Sequence, residues 1–263
     1  MKRLTELFKK KQEKVLSVYF TAGFPHLGDT LTVLKTLQEN GADMIELGMP
    51  YSDPLADGPV IQHSSAIALQ NGMTIKKLFE QLKDLRQSSP SGGIGDALPV
   101  LLMGNMNPIL QYDFGKFCSD AATVGVDGLI VPDLPEYEYE SEYGAIIKKY
   151  GLDFVFLVTP ETSEERVKKL DELSNGFLYA VSSSSTTGKD KNMVDVQTYL
   201  QKLKNLRLRN PIMVGFGIKD KQTFDAACAN ANGALIGTAF IKALEHGRDI
   251  KKTTKEFLRS ILD

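Results

Sequence analysis

The chain is poor in the residues that build metal sites and disulfide frameworks. Its 263 residues include only two cysteines, Cys118 and Cys228, and three histidines, His26, His63 and His246. The cysteines are far apart, each inside a predicted helix, so we expect free thiols in a reducing compartment rather than a disulfide. The histidines are not paired at the spacing of metal ligands, so we expect no zinc site.

Long hydrophobic runs and a strong charge of one sign are also missing. No apolar run reaches the roughly 18 to 20 residues of a transmembrane helix, and residues 1–14 lack the core of a signal peptide. The formal net charge is -2, whereas nucleic-acid-binding proteins carry strongly basic surfaces. We therefore expect a cytoplasmic globular protein that acts on a small molecule, without a membrane or nucleic acid as partner.

The chain does contain a regular alternation of short apolar runs and longer amphipathic segments. The predicted strands are 15–21, 44–47, 100–103, 128–131, 154–158, 177–181, 212–214 and 234–236. The predicted helices between and after them are 27–39, 75–86, 114–123, 138–150, 163–173, 194–206, 221–229 and 249–262. Strands separated by helices pair in parallel, because parallel neighbours need long crossovers.

This alternation predicts an α/β fold, a (β/α)8 TIM barrel that forms a single domain over residues 1–263. An extra helix in residues 1–11 is expected to close the barrel bottom, and an extra short helix is expected at 60–70, after the second strand. A doubly wound open sheet is the alternative. The turn after the first strand, Gly23-Phe24-Pro25, lacks the glycine pattern of a dinucleotide site, which disfavours that alternative.

Three carboxylates share the loop after the second predicted strand. Glu46 ends the strand, and Asp53 and Asp57 follow in residues 48–59, a stretch that also contains three prolines and two glycines. A carboxylate at the end of a buried strand is unfavourable unless it has a partner or a task. A stiff loop that holds carboxylates at a strand end suits acid/base chemistry on a small molecule.

The other strand ends narrow the chemistry further, because barrel enzymes place their active sites there. The residues at these ends are Thr21, Glu46, Asn105, Asp133, Thr159, Ser182, Gly215 and Gly237. None of them is a lysine, which disfavours a Schiff-base aldolase or decarboxylase. None is a histidine, which disfavours a metal-dependent aldolase.

Glycines after the last two strands indicate a phosphate site. Gly215-Phe216-Gly217 and Gly237-Thr238 occupy the positions where such barrels bind phosphate. Glycine lets the backbone approach an anion, and a helix N-terminus offers unpaired N–H groups; tight turns without a ligand are the alternative. The polar run 182–190 after the sixth strand is either a mobile lid or a solvated linker.

Together these segments resemble the tryptophan synthase α-subunit family along essentially the whole chain. The resemblance is carried by the segment from Glu46 to Pro59, ELGMPYSDPLADGP, and by 19–23 (YFTAG), 131–135 (VPDLP), 215–217 (GFG) and 237–239 (GTA), in register. It implies retro-aldol cleavage of indole-3-glycerol phosphate to indole and glyceraldehyde 3-phosphate, with Glu46 and Asp57 as the catalytic acids. We then expect burial to raise the pKa of Glu46, while Asp57 stays ionised.

The resemblance also assigns substrate-binding residues. Tyr179 matches a tyrosine that hydrogen-bonds the catalytic glutamate, and Thr187 matches a threonine that closes the lid over Asp57. The remaining assignments are Tyr19, Leu102 and Ile130 around the indole ring and Gly188, Phe216, Gly217, Gly237 and Thr238 around the phosphate. Phe24 and Asn105 depart from the common pattern, and so do Thr238 and the serines 183–185.

The implied partner is a β subunit that carries pyridoxal phosphate, in an α2β2 tetramer. No cofactor is expected in this chain. Asp53, Pro54 and residues 105–108 would lie near the partner. Two alternatives remain open from the sequence, a free-standing indole-3-glycerol-phosphate lyase and a non-catalytic phosphate-binding barrel.

Overall fold

A computed structural model describes residues 2–55, 57–86, 98–181, 193–215 and 217–263. Its central element is a parallel sheet. The strands are β1 (Val15–Thr21), β2 (Met44–Gly48), β3 (Val100–Met103), β4 (Gly128–Ile130), β5 (Asp153–Phe154), β6 (Leu157–Val158), β7 (Leu178–Ala180), β8 (Ile212–Val214) and β9 (Gly233–Ile236).

The sheet closes on itself through one short segment. Its strand order is β5-β4-β3-β2-β1-β9-β8-β7-β6, so the two ends of the order are neighbours in the chain, separated only by Val155 and Phe156. Val155 N donates to Leu129 O on one side, and Phe156 O accepts from Tyr179 N on the other, both at 3.1 Å. The segment that contains β5 and β6 thus occupies one barrel position, and the predicted (β/α)8 barrel is confirmed.

Helices follow the strands as predicted, with ends that differ by a few residues. They are α1 (Arg3–Lys10), α2 (Thr30–Glu39), α3 (Pro59–Gln70), α4 (Ile75–Leu82), α5 (Met106–Tyr112), α6 (Phe114–Thr123), α7 (Glu136–Glu138), α8 (Gly144–Lys149), α9 (Glu164–Leu173), α10 (Met193–Asn205), α11 (Lys221–Cys228), α12 (Thr238–His246) and α13 (Ile250–Leu262). A 3-10 turn precedes α2, and a π-helical turn joins α7 to α8. Helix α5 was not predicted, whereas α3 is the expected extra helix.

Local signals explain where these helices begin. Helix α9 starts after Ser163, whose side chain accepts a hydrogen bond from Arg166 N, and Glu164 and Glu165 lie in its first turn, where the helix dipole favours acids. Asp220 caps α11 in the same way. None of the helices in the described part of the chain combines the length and apolar character that a bilayer-spanning helix needs.

Alternate residues of each strand face two separate cores. On β1, Leu16, Val18 and Phe20 pack outward against the helices. Val15 faces the barrel interior instead. The other buried apolar residues of this interior, on the strands or beside them, are Met44, Leu101, Ile130, Val155, Phe177, Tyr179, Met213 and Leu235.

Helix α1 closes the bottom of the barrel, as predicted. Leu4 and Phe8 join the interior cluster, and Leu4 packs so closely on Gly176 that a Cβ there would lie 2.0 Å from Leu4 Cδ2. Lys2 and Arg3 pair with buried acids of the barrel, Asp153 and Asp127, at 2.6 and 2.7 Å. The opposite end, where the strands terminate, is left for the functional residues. That residues 1–263 form a single domain stays a prediction.

Candidate active site

Glu46 is a buried acid inside the barrel. It lies on β2 in register with Tyr19 of β1 and Leu101 of β3, and it is 0% exposed. Its Oε1 accepts a hydrogen bond from Ser17 Oγ at 2.9 Å. Its Oε2 is buried and has no hydrogen-bond partner among the described residues. One oxygen is therefore held by Ser17, and the other has no hydrogen bond to a described residue.

Burial keeps this acid protonated near neutral pH. Loss of hydration raises the pKa of Glu46 to about 8, and the hydrogen bond from Ser17 offsets only part of that rise. The carboxyl is therefore mostly a neutral acid at pH 7. The expected apolar setting and raised pKa of Glu46 are both found.

Asp57 is held in place through its backbone. Its N–H donates to Pro54 O at 3.0 Å, and its carbonyl accepts from Gln62 Nε2 of α3 at 2.9 Å. The side chain is half-buried, and burial raises the pKa of its carboxyl to about 6. Asp57 is therefore mostly ionised at pH 7, as expected, although its pKa lies above the ordinary value.

Helix α3 is tied to the end of β1, which fixes the Asp57 loop that leads into it. Thr21 Oγ1 and Ser64 Oγ form a buried hydrogen bond of 2.7 Å near its first turns. At its end, Asn71 Nδ2 donates to Gly23 O and Pro25 O at 2.9 and 2.8 Å.

Phe24, in the turn after β1, is only 1% exposed and packs in the outer core. The departure from the common pattern at this position therefore places an apolar side chain in an apolar environment.

Two tyrosines lie above two glycines at the mouth of the barrel. A Cβ at Gly48 would lie 2.2 Å from Tyr19 Oη, and a Cβ at Gly215 would lie 2.3 Å from Tyr179 Oη, so only glycine leaves room for each ring. Burial raises the pKa of both phenols, and the nearby charges of Glu46 and Asp57 raise it further. The two acids and the two tyrosines thus border one space.

Two expectations for the indole-binding residues are wrong in detail. Tyr179 does not hydrogen-bond Glu46 here, since within the described chain Glu46 Oε1 accepts from Ser17 and Oε2 is unpaired. Leu102 packs in the outer core, whereas Leu101 and Met103 face the interior. A shift of one residue along a strand exchanges its two faces, so Met103 takes the place that Leu102 was given. Tyr19, Ile130 and Tyr179 face the interior as expected.

The glycines after the last strands lie at the same end of the barrel. Gly217 has φ +66°, and a Cβ added to it would meet no atom within 4 Å, so space is open in front of it. Gly237 precedes α12 and provides no side-chain cap, which leaves the first N–H groups of the helix to another acceptor. A Cβ at Gly237 would lie 3.3 Å from Tyr19 Cδ1. Thr238, the first residue of α12, is exposed.

Some predicted site residues lie outside the described part of the chain, and two residues that contact the acids were not predicted. Thr187, Gly188 and Phe216 lie outside the described residues, as does the predicted lid 182–190. Ser17 and Gln62 were not identified from the sequence. A signal for Ser17 existed, because it alternates with Val15 and Tyr19 on the inward face of β1.

No group of three or more histidine, cysteine, aspartate or glutamate side chains placed to hold a metal occurs in the part of the chain that the structure describes.

This arrangement combines a neutral carboxylic acid with a carboxylate at the end of the barrel where the strands terminate. The acid can deliver a proton to a bound molecule, and the carboxylate can stabilise a positive charge that develops nearby. Their different pKa values assign these roles near neutral pH. Glycines and a helix N-terminus across the mouth suit an anionic group of the same molecule.

Comparisons with known proteins show which family this chain resembles. The family model described as tryptophan synthase alpha chain matches residues 5–261. The tryptophan synthase alpha chain of Flavobacterium johnsoniae is 51% identical over 245 residues, which cover 93% of this chain and 94% of the relative. The protein of the same description from Phocaeicola vulgatus is 46% identical over 263 residues, 99% of each chain. The crystal structure of tryptophan synthase subunit alpha from Legionella pneumophila str. Paris superposes with a TM-score of 0.88 at 32% identity, covering 99% of this chain and 97% of that one.

Proposed function

The chain belongs to the tryptophan synthase alpha chain family, and we propose that Glu46 and Asp57 are the two acids with which it cleaves its substrate. The family reaction is the cleavage of indole-3-glycerol phosphate to indole and glyceraldehyde 3-phosphate in L-tryptophan biosynthesis. The observation that carries the assignment is the fully buried Glu46 carboxyl, with one oxygen unpaired among the described residues, followed in the same loop by an ionised Asp57.

Glu46 acts first as an acid and then as a base. Its proton goes to indole C3, the ring carbon that bears the glycerol phosphate chain. The carboxylate then takes the proton of the hydroxyl on the adjacent chain carbon, the C–C bond breaks, and its electron pair returns to the ring. The new carbonyl belongs to glyceraldehyde 3-phosphate, and Glu46 is protonated again, so no external acid or base is consumed.

Asp57 stabilises the intermediate between these proton transfers. Protonation at C3 leaves positive charge on the ring, which is shared with the ring nitrogen. A carboxylate placed at the ring N–H lowers the energy of that state, and Asp57 is suited to this because its pKa of about 6 keeps it ionised at neutral pH. Tyr19, Ile130, Met103 and Tyr179 would pack on the indole ring, with Thr187 closing over it.

The phosphate group would lie against Gly217, Gly237 and Thr238, with Phe216 and Gly188 beside it. We expect Gly217→Asp to raise KM for indole-3-glycerol phosphate by roughly tenfold or more, because a carboxylate would repel the phosphate dianion. Gly217→Asn is the matched control, since asparagine has the same shape and both residues tolerate positive φ. Steady-state KM and the inhibition constant of inorganic phosphate measure the effect. Equal values for the two variants would exclude a phosphate at Gly217.

The chain works with a tryptophan synthase β subunit, which carries the pyridoxal phosphate of the complex. We propose that the partner covers the loop around Asp53 and Pro54 and residues 105–108, in an α2β2 tetramer in the cytoplasm. Leu55, in the same loop, is 81% exposed, and Leu110 of α5 is 47% exposed. Such exposed leucines near the barrel mouth fit a surface that another protein covers.

Measuring indole release from indole-3-glycerol phosphate tests this function. We expect slow release by the purified chain and a large increase on titration with a β subunit. Full activity without the β subunit would favour a free-standing lyase instead. No release under either condition would favour the non-catalytic barrel, against which the unfavourable burial of the Glu46 acid already argues.

A further inference from the structure

Ser17 is a buried polar residue for which neither the fold nor the catalytic assignment gives a reason. It is 0% exposed, and it lies on β1 between Val15 and Tyr19, which also face the barrel interior. The residues of that interior are mainly aliphatic and aromatic. A hydroxyl in such surroundings is unfavourable unless it is hydrogen-bonded. An alanine or valine would serve packing alone equally well.

The Ser17 hydroxyl is directed at the catalytic carboxyl. Its Oγ donates to Glu46 Oε1 at 2.9 Å, and both residues are fully buried. In the sheet register, Glu46 lies beside Tyr19, whereas Ser17 lies beside Met44, two residues nearer the start of β2. Ser17 therefore holds the carboxyl from the side of the strand starts, which is the end of the barrel that helix α1 closes.

This contact makes the two carboxyl oxygens unequal. Oε1 is occupied by Ser17, while Oε2 is buried without a partner in the described structure. Rotation of the Glu46 carboxyl group would exchange its two oxygens, but it breaks the hydrogen bond from Ser17. The oxygen without a partner is the one from which a proton can pass to a bound molecule.

We propose that Ser17 is a positioning residue for the cleavage reaction, which holds Glu46 Oε1 so that Oε2 carries the transferred proton. The proposal rests on the assignment of Glu46 as the acid and base. Ser17 does not touch the substrate; it acts through the orientation of Glu46. Proton transfer depends steeply on such orientation, so the expected effect is on turnover rather than on binding.

The matched variants are Ser17→Thr and Ser17→Val, which have nearly the same shape but differ in the hydroxyl. We expect Ser17→Val and Ser17→Ala to lower kcat for indole release by about tenfold with KM nearly unchanged. Ser17→Thr should retain most of the turnover. A role in packing alone predicts that threonine and valine behave alike.

The pH dependence provides a second readout that packing would not change. The hydrogen bond favours the ionised form and lowers the pKa of Glu46, so its removal should move the alkaline limb of the pH profile upward. Asp57, Tyr19 and Tyr179 face the same space and are unchanged in every Ser17 variant. Carbon-13 NMR titration of the Glu46 carboxyl in the unliganded protein should show the same upward shift in Ser17→Val and Ser17→Ala, but not in Ser17→Thr.

The outcomes separate this proposal from the catalytic assignment. If Glu46→Gln is inactive while Ser17→Val keeps the kcat, pH profile and NMR titration of the wild type, then Ser17 has no positioning role. If Glu46→Gln is active, the assignment of Glu46 itself is wrong. Circular dichroism shows whether each variant is folded, and the NMR titration of Ser17→Ala against wild type remains decisive if Ser17→Val does not fold.

Discussion

Glu46→Gln should lose turnover in indole release by roughly two to four orders of magnitude while it keeps the fold and binds the substrate. Glutamine has the shape of the acid, and its side-chain oxygen can still accept the hydrogen bond from Ser17. It cannot give a proton to indole C3 or take one from the chain hydroxyl. Both halves of the reaction therefore lose their acid or base, whereas the contacts that bind the ring and the phosphate remain.

A pH-dependent gain in stability should accompany the loss of turnover. The pKa of Glu46 is raised from 4.5 to about 8 on folding, so the folded state keeps a proton that the unfolded state releases. Wild-type stability therefore falls as pH rises between these values and levels off above pH 8. Glu46→Gln has no such ionisation, so its free energy of unfolding should rise relative to the wild type across that window.

Steady-state kinetics and urea unfolding at pH 5 and pH 8 measure the two effects. Glu13→Gln, the same substitution at an exposed residue, is the control and should change neither. Near-normal turnover of Glu46→Gln would overturn the mechanism. Lost turnover without the pH-dependent gain in stability would instead show that Glu46 is not a buried neutral acid in solution.

The strand and helix pattern was predictable because it depends on local apolar periodicity. The alternation gave all eight barrel positions, since a buried parallel strand is a short apolar run between two amphipathic helices. The break between β5 and β6 was not visible, because residues 154–158 read as one apolar run. Helix α5 was missed for a related reason, since its seven residues contain a proline and too few turns to show a helical period.

The two acids were predictable, but the contacts that tune them were not. Glu46 and Asp57 lie in a distinctive loop and match the motif of a known family. The hydrogen bond from Ser17 joins two strands, and that from Gln62 joins a loop to a helix. Both depend on register and side-chain direction rather than on spacing in the chain. The misplacement of Leu102 has the same origin, because the face of a strand changes with a shift of one residue.

Asp57→Asn should lower turnover by roughly 100-fold to 1,000-fold, because it removes the negative charge opposite the developing cation. Asparagine keeps the size of the side chain, and the hydrogen bonds of residue 57 to Pro54 and Gln62 involve only its backbone. The loop should therefore keep its position. The loss should appear in kcat more than in KM, since the charge on the ring exists only after protonation.

The pH profile of kcat/KM identifies the origin of that loss. The wild type needs Asp57 ionised and Glu46 protonated, so activity should rise with pH as Asp57 ionises near pH 6 and fall as Glu46 ionises near pH 8. Asp57→Asn should lose the acidic limb and keep the alkaline one. Asp53→Asn, the same change at an exposed position in the same loop, should keep both limbs when the chain is assayed alone. An acidic limb that persists in Asp57→Asn would belong to another group, and the stabilising charge would then have to be sought elsewhere at the barrel mouth.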